Sequence, residues 1–314
     1  MSDALGSWRD GPAKRALLDF VARVTNEVGP DYVPPAERIA TFDNDGTLCC
    51  EHPLPAQLYF TLHRMRRLAA KAPGIADRQP YKALLERDLA TISSLGKEAA
   101  FRIGMTVYAG VTEEEFDLVV RGWFATAKHP RLGWSFEHCV YAPQMELLDY
   151  LRVKRFKIYI VTSDEAEFIR PFAEQAYGIP REQVIGSAVK LRVERQSGRS
   201  VLLKSSELET FDDHEEKVRN IGTRIGRRPI LAFGNSDGDL AMLRYTRSGF
   251  GPRLALLLHH DDRDREVAYD REHRLSPLSE ALDNADDYGL TVVSMKHDWK
   301  TVFGAVVTPL RRTA

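Results

Sequence analysis

Two aspartates separated by a single residue, Asp43 and Asp45, follow an apolar run at residues 39–42. Such a run is typical of a buried strand, and Gly46 gives the chain the freedom that a tight turn after the strand requires. Two carboxylates held this close repel each other unless a proton or a cation offsets their charge. The pattern therefore favours a site in which Asp43 is a nucleophile and Asp45 carries a proton, with a hard divalent metal ion between them and a phosphate group.

This stretch has two other possible interpretations, an Asx-type turn and a calcium-binding loop. An Asx-type turn that happens to contain two acids would need no function. A calcium-binding EF-hand loop starting at Asp43 would need an acid at its fifth position, glycine at its sixth and glutamate at its twelfth. The sequence has Thr47, Leu48 and Leu54 at those positions, which excludes the EF-hand.

Composition restricts the class of protein. The chain has 314 residues, 43% hydrophobic residues and a formal net charge of -1, which suits one large domain or a core domain with an insertion. Nothing in this balance indicates binding to nucleic acid or to a membrane surface, and residues 1–10 lack the apolar core of a signal peptide. We therefore expect a soluble, cytoplasmic protein. Its three cysteines, Cys49, Cys50 and Cys139, do not have the spacing of a zinc site or a disulfide framework.

Beyond residue 141 the chain repeats a pattern of apolar strand, polar tip and helix. Strands are predicted at 156–162, 184–185, 229–233, 254–258 and 290–295, with a hairpin over 188–204 and helices at 165–177, 215–225 and 279–286. This order of elements predicts an α/β fold with a doubly wound parallel sheet. In such a sheet the active site lies at the carboxyl ends of the strands.

Residues 51–141 have a different character, with apolar residues at helical spacing and no convincing strand. Helices are predicted at 56–70 and 81–95, and Thr112 with Glu115 forms a capping box for another. We therefore predict an α/β core domain formed by residues 1–50 and 142–314, with residues 51–141 inserted as an all-helical domain.

Further polar residues fall at predicted strand or helix tips and could meet the acidic pair. Thr162 ends the second predicted strand, and Lys217 lies in the first turns of a helix. A hydroxyl and a fixed ammonium group can both hold phosphoryl oxygens. Ser163 is the alternative hydroxyl donor.

The order and spacing of these residues resemble the haloacid dehalogenase-like phosphatase superfamily. The four motifs that carry the resemblance are Asp43-Asn44-Asp45-Gly46-Thr47, Thr162, Lys217, and Gly234-Asn235-Ser236-Asp237-Gly238-Asp239. The helical insertion lies between the first two motifs, as in the phosphoserine-phosphatase-like branch of that superfamily. The resemblance implies that Asp43 attacks phosphorus to form an aspartyl-phosphate, while Asp45 protonates the leaving alcohol and then activates water.

The resemblance also implies a bound Mg²⁺ held by a carboxylate oxygen of Asp43, the backbone carbonyl of Asp45 and an acid of the fourth motif. The sequence departs from the family here, because Asn235 replaces the usual first acid and Gly238 replaces the usual asparagine. The third protein ligand is therefore left open between Asn235 and Asp237. Asp239 matches the last acid of the motif and is expected to orient Lys217 or a metal-bound water.

Two histidines, His259 and His260, close the predicted strand at 254–258. We expect them to form a solvated strand end, and the alternative is that they reach the edge of the site.

These observations together predict a magnesium-dependent phosphomonoester hydrolase that acts on a small phosphorylated metabolite. The helical insertion would act as a lid that excludes water during phosphoryl transfer. One alternative is a phosphotransferase or phosphomutase, which would use the same aspartyl-phosphate. Another is a non-catalytic binding protein that shares the fold. A dehalogenase is disfavoured because its chemistry does not need Asp45. The sequence leaves the substrate and the oligomeric state open.

Overall fold

The computed structural model describes residues 5–71, 74, 77, 81–86 and 88–304. Within them seven strands form one sheet: β1 (Ile39–Phe42), β2 (Lys157–Glu165), β3 (Val184–Gln196), β4 (Arg199–Thr210), β5 (Leu231–Gly234), β6 (Leu254–His259) and β7 (Thr291–Ser294). Their order across the sheet is β4-β3-β2-β1-β5-β6-β7. All neighbouring pairs are parallel except β3 and β4, which form an antiparallel hairpin. The first strand therefore lies in the middle of the sheet.

The helices of the described residues are α1 (Pro12–Thr25), α2 (Ala56–Lys71), α3 (Tyr81–Glu86), α4 (Leu89–Tyr108), α5 (Glu113–Phe124), α6 (Ala142–Val153), α7 (Ala166–Phe172), α8 (Glu215–Ile225), α9 (Leu240–Arg247), α10 (Glu280–Asp283) and α11 (Met295–Asp298). Outside 51–141 they largely alternate with the strands. A parallel sheet requires this alternation. After each strand the chain must cross back to the edge where the strands begin, and a helix usually makes that connection.

Apolar side chains cover both faces of the sheet. Phe42, Ile160 and Phe233 point into one buried cluster, which also contains residues of α1, α6 and α7. Val161 and Ala232, their neighbours in sequence, belong to a second cluster with residues of α8, α9 and α10. Because successive side chains of a strand point to opposite faces, a sheet buried on both faces reads as a continuous apolar run. The predicted doubly wound α/β fold is confirmed.

The predicted hairpin is present, but it is longer than expected. The strand predicted at 184–185 continues without a break into the hairpin, so that β3 runs from Val184 to Gln196. Its partner β4 extends to Thr210 and forms the edge of the sheet. Near its middle, Lys204 exchanges backbone hydrogen bonds with the turn before α5, through Gly110 N–H and Val111 C=O. The hairpin therefore contacts the helical insertion.

In the described part of residues 51–141 the regular elements are the helices α2 to α5 and a short 3₁₀ turn. The capping box at the start of α5 is present: Thr112 Oγ1 accepts from Glu115 N–H, and the Glu115 carboxylate accepts from Thr112 N–H. The single helix predicted at 81–95 is wrong, because α3 ends at Glu86 and Asp88 caps a new helix. That helix, α4, is itself kinked at Gly96, whose φ of 79° is not helical.

The insertion packs tightly on the core. Phe60 of α2 and Trp123 of α5 both contact the ring of Phe168 in α7, with centroid separations of 5.0 and 6.0 Å. These residues belong to one apolar cluster that runs from the insertion into the sheet. The division into two domains at residues 51 and 141 stays a prediction. Among the residues described, no helix combines the length and the apolar character needed to cross a membrane.

Candidate active site

The parallel register brings the first and fourth motifs to adjacent positions. Asp43 follows β1 directly, and its backbone N–H donates to the carbonyl of Phe233 in β5 at 2.9 Å. On the other side β2 pairs with β1, and Phe42 lies opposite Ile160, two residues before Thr162. The carboxyl ends of three neighbouring strands therefore meet at one edge of the sheet, as the sequence predicts.

Lys217 crosses this edge from the first turns of α8. Its Nζ lies 2.7 Å from Asp43 Oδ1 and 2.6 Å from Asp239 Oδ1, and it donates to the backbone carbonyl of Val161 at 2.9 Å. Burial alone would lower the pKa of this amine, but the two carboxylates outweigh burial and raise the pKa. The ammonium is thus held between the acid of the first motif and the last acid of the fourth.

The two acids beside Lys217 respond differently to the same ammonium. Burial opposes ionisation of Asp239, yet the charge and hydrogen bond of Lys217 lower the pKa of that residue overall. For Asp43, burial and the nearby Asp239 carboxylate raise the pKa well above its ordinary value, against the pull of Lys217. One ammonium is shared by two buried carboxylates, so ionised Asp43 needs further positive charge.

Asp45 has a partner that the sequence did not indicate. Its carboxyl group shares a hydrogen bond with that of Asp164. Burial and the Asp164 carboxylate raise the pKa of Asp45 well above its ordinary value. Burial also raises the pKa of Asp164, to about 6. Two acids that share a site cannot both ionise freely, so the pair favours a state in which one proton is held between them.

A break in the sheet register puts Asp164 at this position. The pairing of β2 with β3 shifts between Thr162 and Glu165, so that Ser163 and Asp164 bulge from the strand. Both bulged residues line the cavity described below. Thr162 is buried, and its Oγ1 accepts a hydrogen bond from Asp164 N–H at 3.1 Å. Of the two predicted hydroxyl donors, Ser163 therefore reaches the cavity wall, whereas Thr162 supports the bulge.

The fourth motif separates into residues that contact Lys217 or the segment of the first motif and one that does not. Asn235 is buried: its Oδ1 accepts from Thr47 Oγ1 at 2.9 Å, and its Nδ2 donates to Glu51 Oε1 at 2.9 Å. Asp239 also accepts through Oδ2 from the backbone N–H groups of Asn235 and Ser236.

Asp237, the other candidate ligand, is directed elsewhere. Both of its carboxylate oxygens accept hydrogen bonds from the backbone N–H groups of residues 279, 280 and 281, at the start of α10. The structure does not bring its side chain to the cluster around Asp43. Between the two ligands left open by the sequence, the geometry favours Asn235.

Beside the first motif lies a cavity of about 50 Å³. Its polar lining contains the carboxyl groups of Asp43, Asp45, Glu51 and Asp164 and the ammonium groups of Lys97 and Lys217. The rest of the wall combines neutral polar residues with apolar ones from the insertion and the loops above the sheet, which are Pro55, Leu58, Ala100, Phe101, Phe211 and Leu275. Acids outnumber cations in this lining, so the cavity attracts positive charge.

Glu51, Lys97 and Asp164 are the residues that the sequence analysis missed. Glu51 follows the first motif but was assigned to the start of the insertion. Lys97 comes directly after the kink at Gly96, which is the one signal in the sequence that a helix is interrupted there. Burial opposes the charge on Lys97, but the carboxylates of Asp213, Glu51 and Asp239 outweigh it and raise the pKa of the amine. The insertion thus brings a cation to the cavity.

The position of His260 differs from the predicted solvated strand end. It is 1% exposed, and its Nε2 lies 2.7 Å from the carbonyl oxygen of Gly46. The expectation of a solvated strand end is therefore wrong for His260, which holds the turn of the first motif at the edge of the site. His259 is partly exposed and pairs with Asp270.

In the part of the chain that the structure describes, no three His, Cys, Asp or Glu side chains are arranged to hold one metal ion. An ion beside Asp43 would therefore need neutral oxygen ligands as well. The backbone carbonyl of Asp45 and the amide oxygen of Asn235 are such groups, and both belong to the ligand set that the resemblance implies.

Comparison with known proteins agrees with this architecture. The family model described as haloacid dehalogenase-like hydrolase matches residues 40–244. A protein of unknown function from Anaerococcus prevotii DSM 20548 has a similar structure, with a TM-score of 0.55 at 16% identity over 90% of this chain and 91% of that one. A second protein of unknown function, from Bordetella pertussis Tohama I, has a TM-score of 0.51 at 18% identity, over 82% of this chain and 98% of that chain.

A phosphoserine phosphohydrolase-like protein from Francisella tularensis subsp. tularensis SCHU S4 gives a TM-score of 0.42 at 16% identity, over 80% of this chain and 98% of that one. No curated protein sequence matches the chain. At these identities the two structures with TM-scores of 0.55 and 0.51 show a shared fold alone, whereas the family model spans more than half of the sequence. The chain belongs to the haloacid dehalogenase-like hydrolases.

Proposed function

We propose that this hydrolase is a magnesium-dependent phosphomonoesterase that acts on a small phosphorylated metabolite through an aspartyl-phosphate on Asp43. The observation that carries the proposal is the position of Asp43 in the cavity. Its carboxylate is paired with Lys217 at 2.7 Å, and a second carboxyl group, that of Asp45, lines the same cavity and has a pKa that burial raises. A nucleophile, an acid and a fixed cation are the groups that phosphoryl transfer to a carboxylate needs.

The donor set fits Mg²⁺. All the candidate ligands offer hard oxygen atoms, and the excess of carboxylates over ammonium groups leaves negative charge that a divalent ion would neutralise. Asp164 Oδ2 is also buried without a hydrogen-bond partner among the described residues. Asp43, the carbonyl of Asp45 and the amide oxygen of Asn235 would hold the ion. When bound, Mg²⁺ supplies positive charge that offsets the repulsion between Asp43 and the phosphoryl oxygens.

In the first step a carboxylate oxygen of Asp43 attacks phosphorus while the bond from phosphorus to the ester oxygen breaks. Asp45 gives its proton to the departing oxygen, so that the product leaves as an alcohol. Lys217 and Ser163 would donate to the phosphoryl oxygens, where charge grows during the transfer. Lys217 already holds Asp43 in one orientation, which reduces the motion needed to reach the transition state.

In the second step Asp45 acts as a base instead of an acid. Asp45, now ionised, takes a proton from a water molecule as that water attacks the phosphorus of the aspartyl-phosphate. The bond from phosphorus to the Asp43 oxygen breaks, inorganic phosphate leaves, and both aspartates return to their starting states.

The helical insertion would keep bulk water from this chemistry. Helix α2 contributes Gln57 and Leu58 to the cavity wall, and α4 contributes Lys97 and Phe101. Gln57 Oε1 also accepts from the backbone N–H of Glu165 at 2.7 Å, which joins the insertion to the end of β2. The apolar residues that the insertion contributes would exclude water and so strengthen the electrostatic interactions beneath them.

Hydrolysis of an aryl phosphate, measured with Mg²⁺ and then with a chelator, tests the proposal. We expect turnover with the wild type that the chelator abolishes, and no turnover with Asp43→Asn. Asp286→Asn, which changes an exposed acid, is the matched control and should behave as the wild type. If Asp43→Asn retained near-normal hydrolysis, the nucleophile assignment would be wrong. Product analysis with an added alcohol would separate hydrolysis from phosphotransfer.

A further inference from the structure

The side chain of Asn235 brings no charge to the place where the proposed metal ligands meet. The acids of its own loop do not supply that charge. Asp239 is engaged by Lys217, and Asp237 is held by the backbone at the start of α10. The carboxylate in contact with the Asn235 amide comes from another part of the chain, and it is that of Glu51.

Glu51 is 1% exposed and accepts three hydrogen bonds from neutral donors. They are Asn235 Nδ2 at 2.9 Å, Tyr269 Oη at 2.8 Å and Ser276 Oγ at 2.9 Å. No ammonium or guanidinium group of the described residues lies within ion-pair distance of it. A buried carboxylate without a counter-ion is costly, and a cation bound in the cavity that Glu51 lines would offset that cost.

The contact also fixes the orientation of the Asn235 amide. Because Nδ2 donates to Glu51, Oδ1 faces the other way and accepts from Thr47. A carbonyl oxygen has two lone pairs, so Oδ1 can accept from Thr47 and still ligate an ion. Rotating the amide by half a turn would place its oxygen against the Glu51 carboxylate, which electrostatic repulsion disfavours.

The turn of the first motif is built around this pair. A Cβ atom at Gly46 would lie 2.1 Å from Asn235 Nδ2 and 2.3 Å from Glu51 Oε1, and the φ of Gly46 is +75°. Only glycine leaves room for the two side chains to pack against the turn that carries the Asp45 carbonyl. The amide, the carboxylate and the candidate ligands of the first motif therefore form one unit.

We propose that Glu51 supplies the negative charge that Asn235 lacks and orients its amide oxygen toward the magnesium ion. The inference rests on the proposed function, since it concerns the ion which that function uses. Glu51 is a positioning residue that acts through Asn235. Outer partners of this kind set both the orientation of a ligand and the affinity of a site.

Isothermal titration calorimetry of the full chain with MgCl₂ tests the inference without turnover. We expect Glu51→Gln to weaken Mg²⁺ binding by about 10- to 100-fold. The double variant Glu51→Gln with Asn235→Asp moves the carboxylate from one side chain to the other, and we expect it to restore affinity to within about threefold of the wild type. Glu114→Gln, an exposed change in α5, should leave affinity unchanged.

A second measurement does not depend on the stability of Glu51→Gln. Asn235→Asp alone would place two carboxylates in contact, so we expect this variant to have a lower melting temperature than the wild type when both are metal-free. Adding Mg²⁺ should then raise the melting temperature of the variant by more degrees than that of the wild type. Equal Mg²⁺ affinity in Glu51→Gln and the wild type would overturn the inference and leave the proposed function standing. A wild type that binds no Mg²⁺ would overturn the metal-dependent function itself.

Discussion

Lys217 Nζ lies 2.7 Å from Asp43 Oδ1, although 174 residues separate the two in the sequence. The same ammonium contacts Asp239, so one cation is shared by two buried carboxylates that follow different strands. The pair is therefore part of the stability of the metal-free protein as well as of the proposed chemistry.

Replacing Lys217 should lower the free energy of unfolding of the metal-free protein. Lys217→Met leaves Asp43 and Asp239 buried without their counter-ion, and breaking a buried pair in this way costs about 3–5 kcal/mol. Urea unfolding of the metal-free protein measures the loss. Lys190→Met is the control, because Lys190 pairs with Glu207 on the surface and its removal should cause no measurable change. Equal stability of the two variants would contradict the geometry described for Lys217.

Asp237 should matter for folding and not for the metal. Asp237→Ala removes the acceptor for three backbone N–H groups at residues 279–281, a loss of about 1–2 kcal/mol by comparison with helix caps. Thermal unfolding measures this loss against Asp286→Ala, and Mg²⁺ titration measures the affinity. A large drop in Mg²⁺ affinity would show that Asp237, and not Asn235, is the ligand.

The sequence predicted the sheet well because its strands are short apolar runs that end in polar tips. The strand predicted from the apolar run at 39–42 is observed at Ile39–Phe42, and Lys217 lies in the first turns of its helix as expected. In a parallel sheet these local signals are enough to place the tips together, because each strand ends at the same edge.

What the sequence could not supply depends on contacts between distant segments. Glu51 receives hydrogen bonds from Tyr269 and Ser276, which lie 218 and 225 residues away. Asp164 reaches the site only because the register of β2 slips after Thr162. Neither the hydrogen bonds to Glu51 nor the register shift of β2 leaves a periodic pattern in the sequence. The split between α3 and α4 was visible, since Asp88 and Thr91 have the spacing of a helix cap, but the apolar stripe concealed it.

Lys97 should recognise the substrate from the insertion. It lines the cavity, and within the described ranges no acid lies close enough to form an ion pair with it. A charge-assisted hydrogen bond to an anionic group of the substrate would be worth about 1.5–3 kcal/mol, so Lys97→Met should raise KM at least about tenfold. Lys82→Met, an exposed change in α3, should leave KM unchanged. An unchanged KM in Lys97→Met would exclude this residue from substrate binding.

The claim that Asp43 is the nucleophile can be tested by locating the phosphoryl group during turnover. The enzyme is mixed with a phosphomonoester and Mg²⁺, quenched in acid within one turnover, digested and analysed by mass spectrometry. The account predicts a phosphoryl group on the peptide that contains Asp43 in the wild type and an unmodified peptide in Asp43→Asn. Steady hydrolysis by the wild type with no phosphorylated Asp43 peptide, or with the label on another residue, would contradict it.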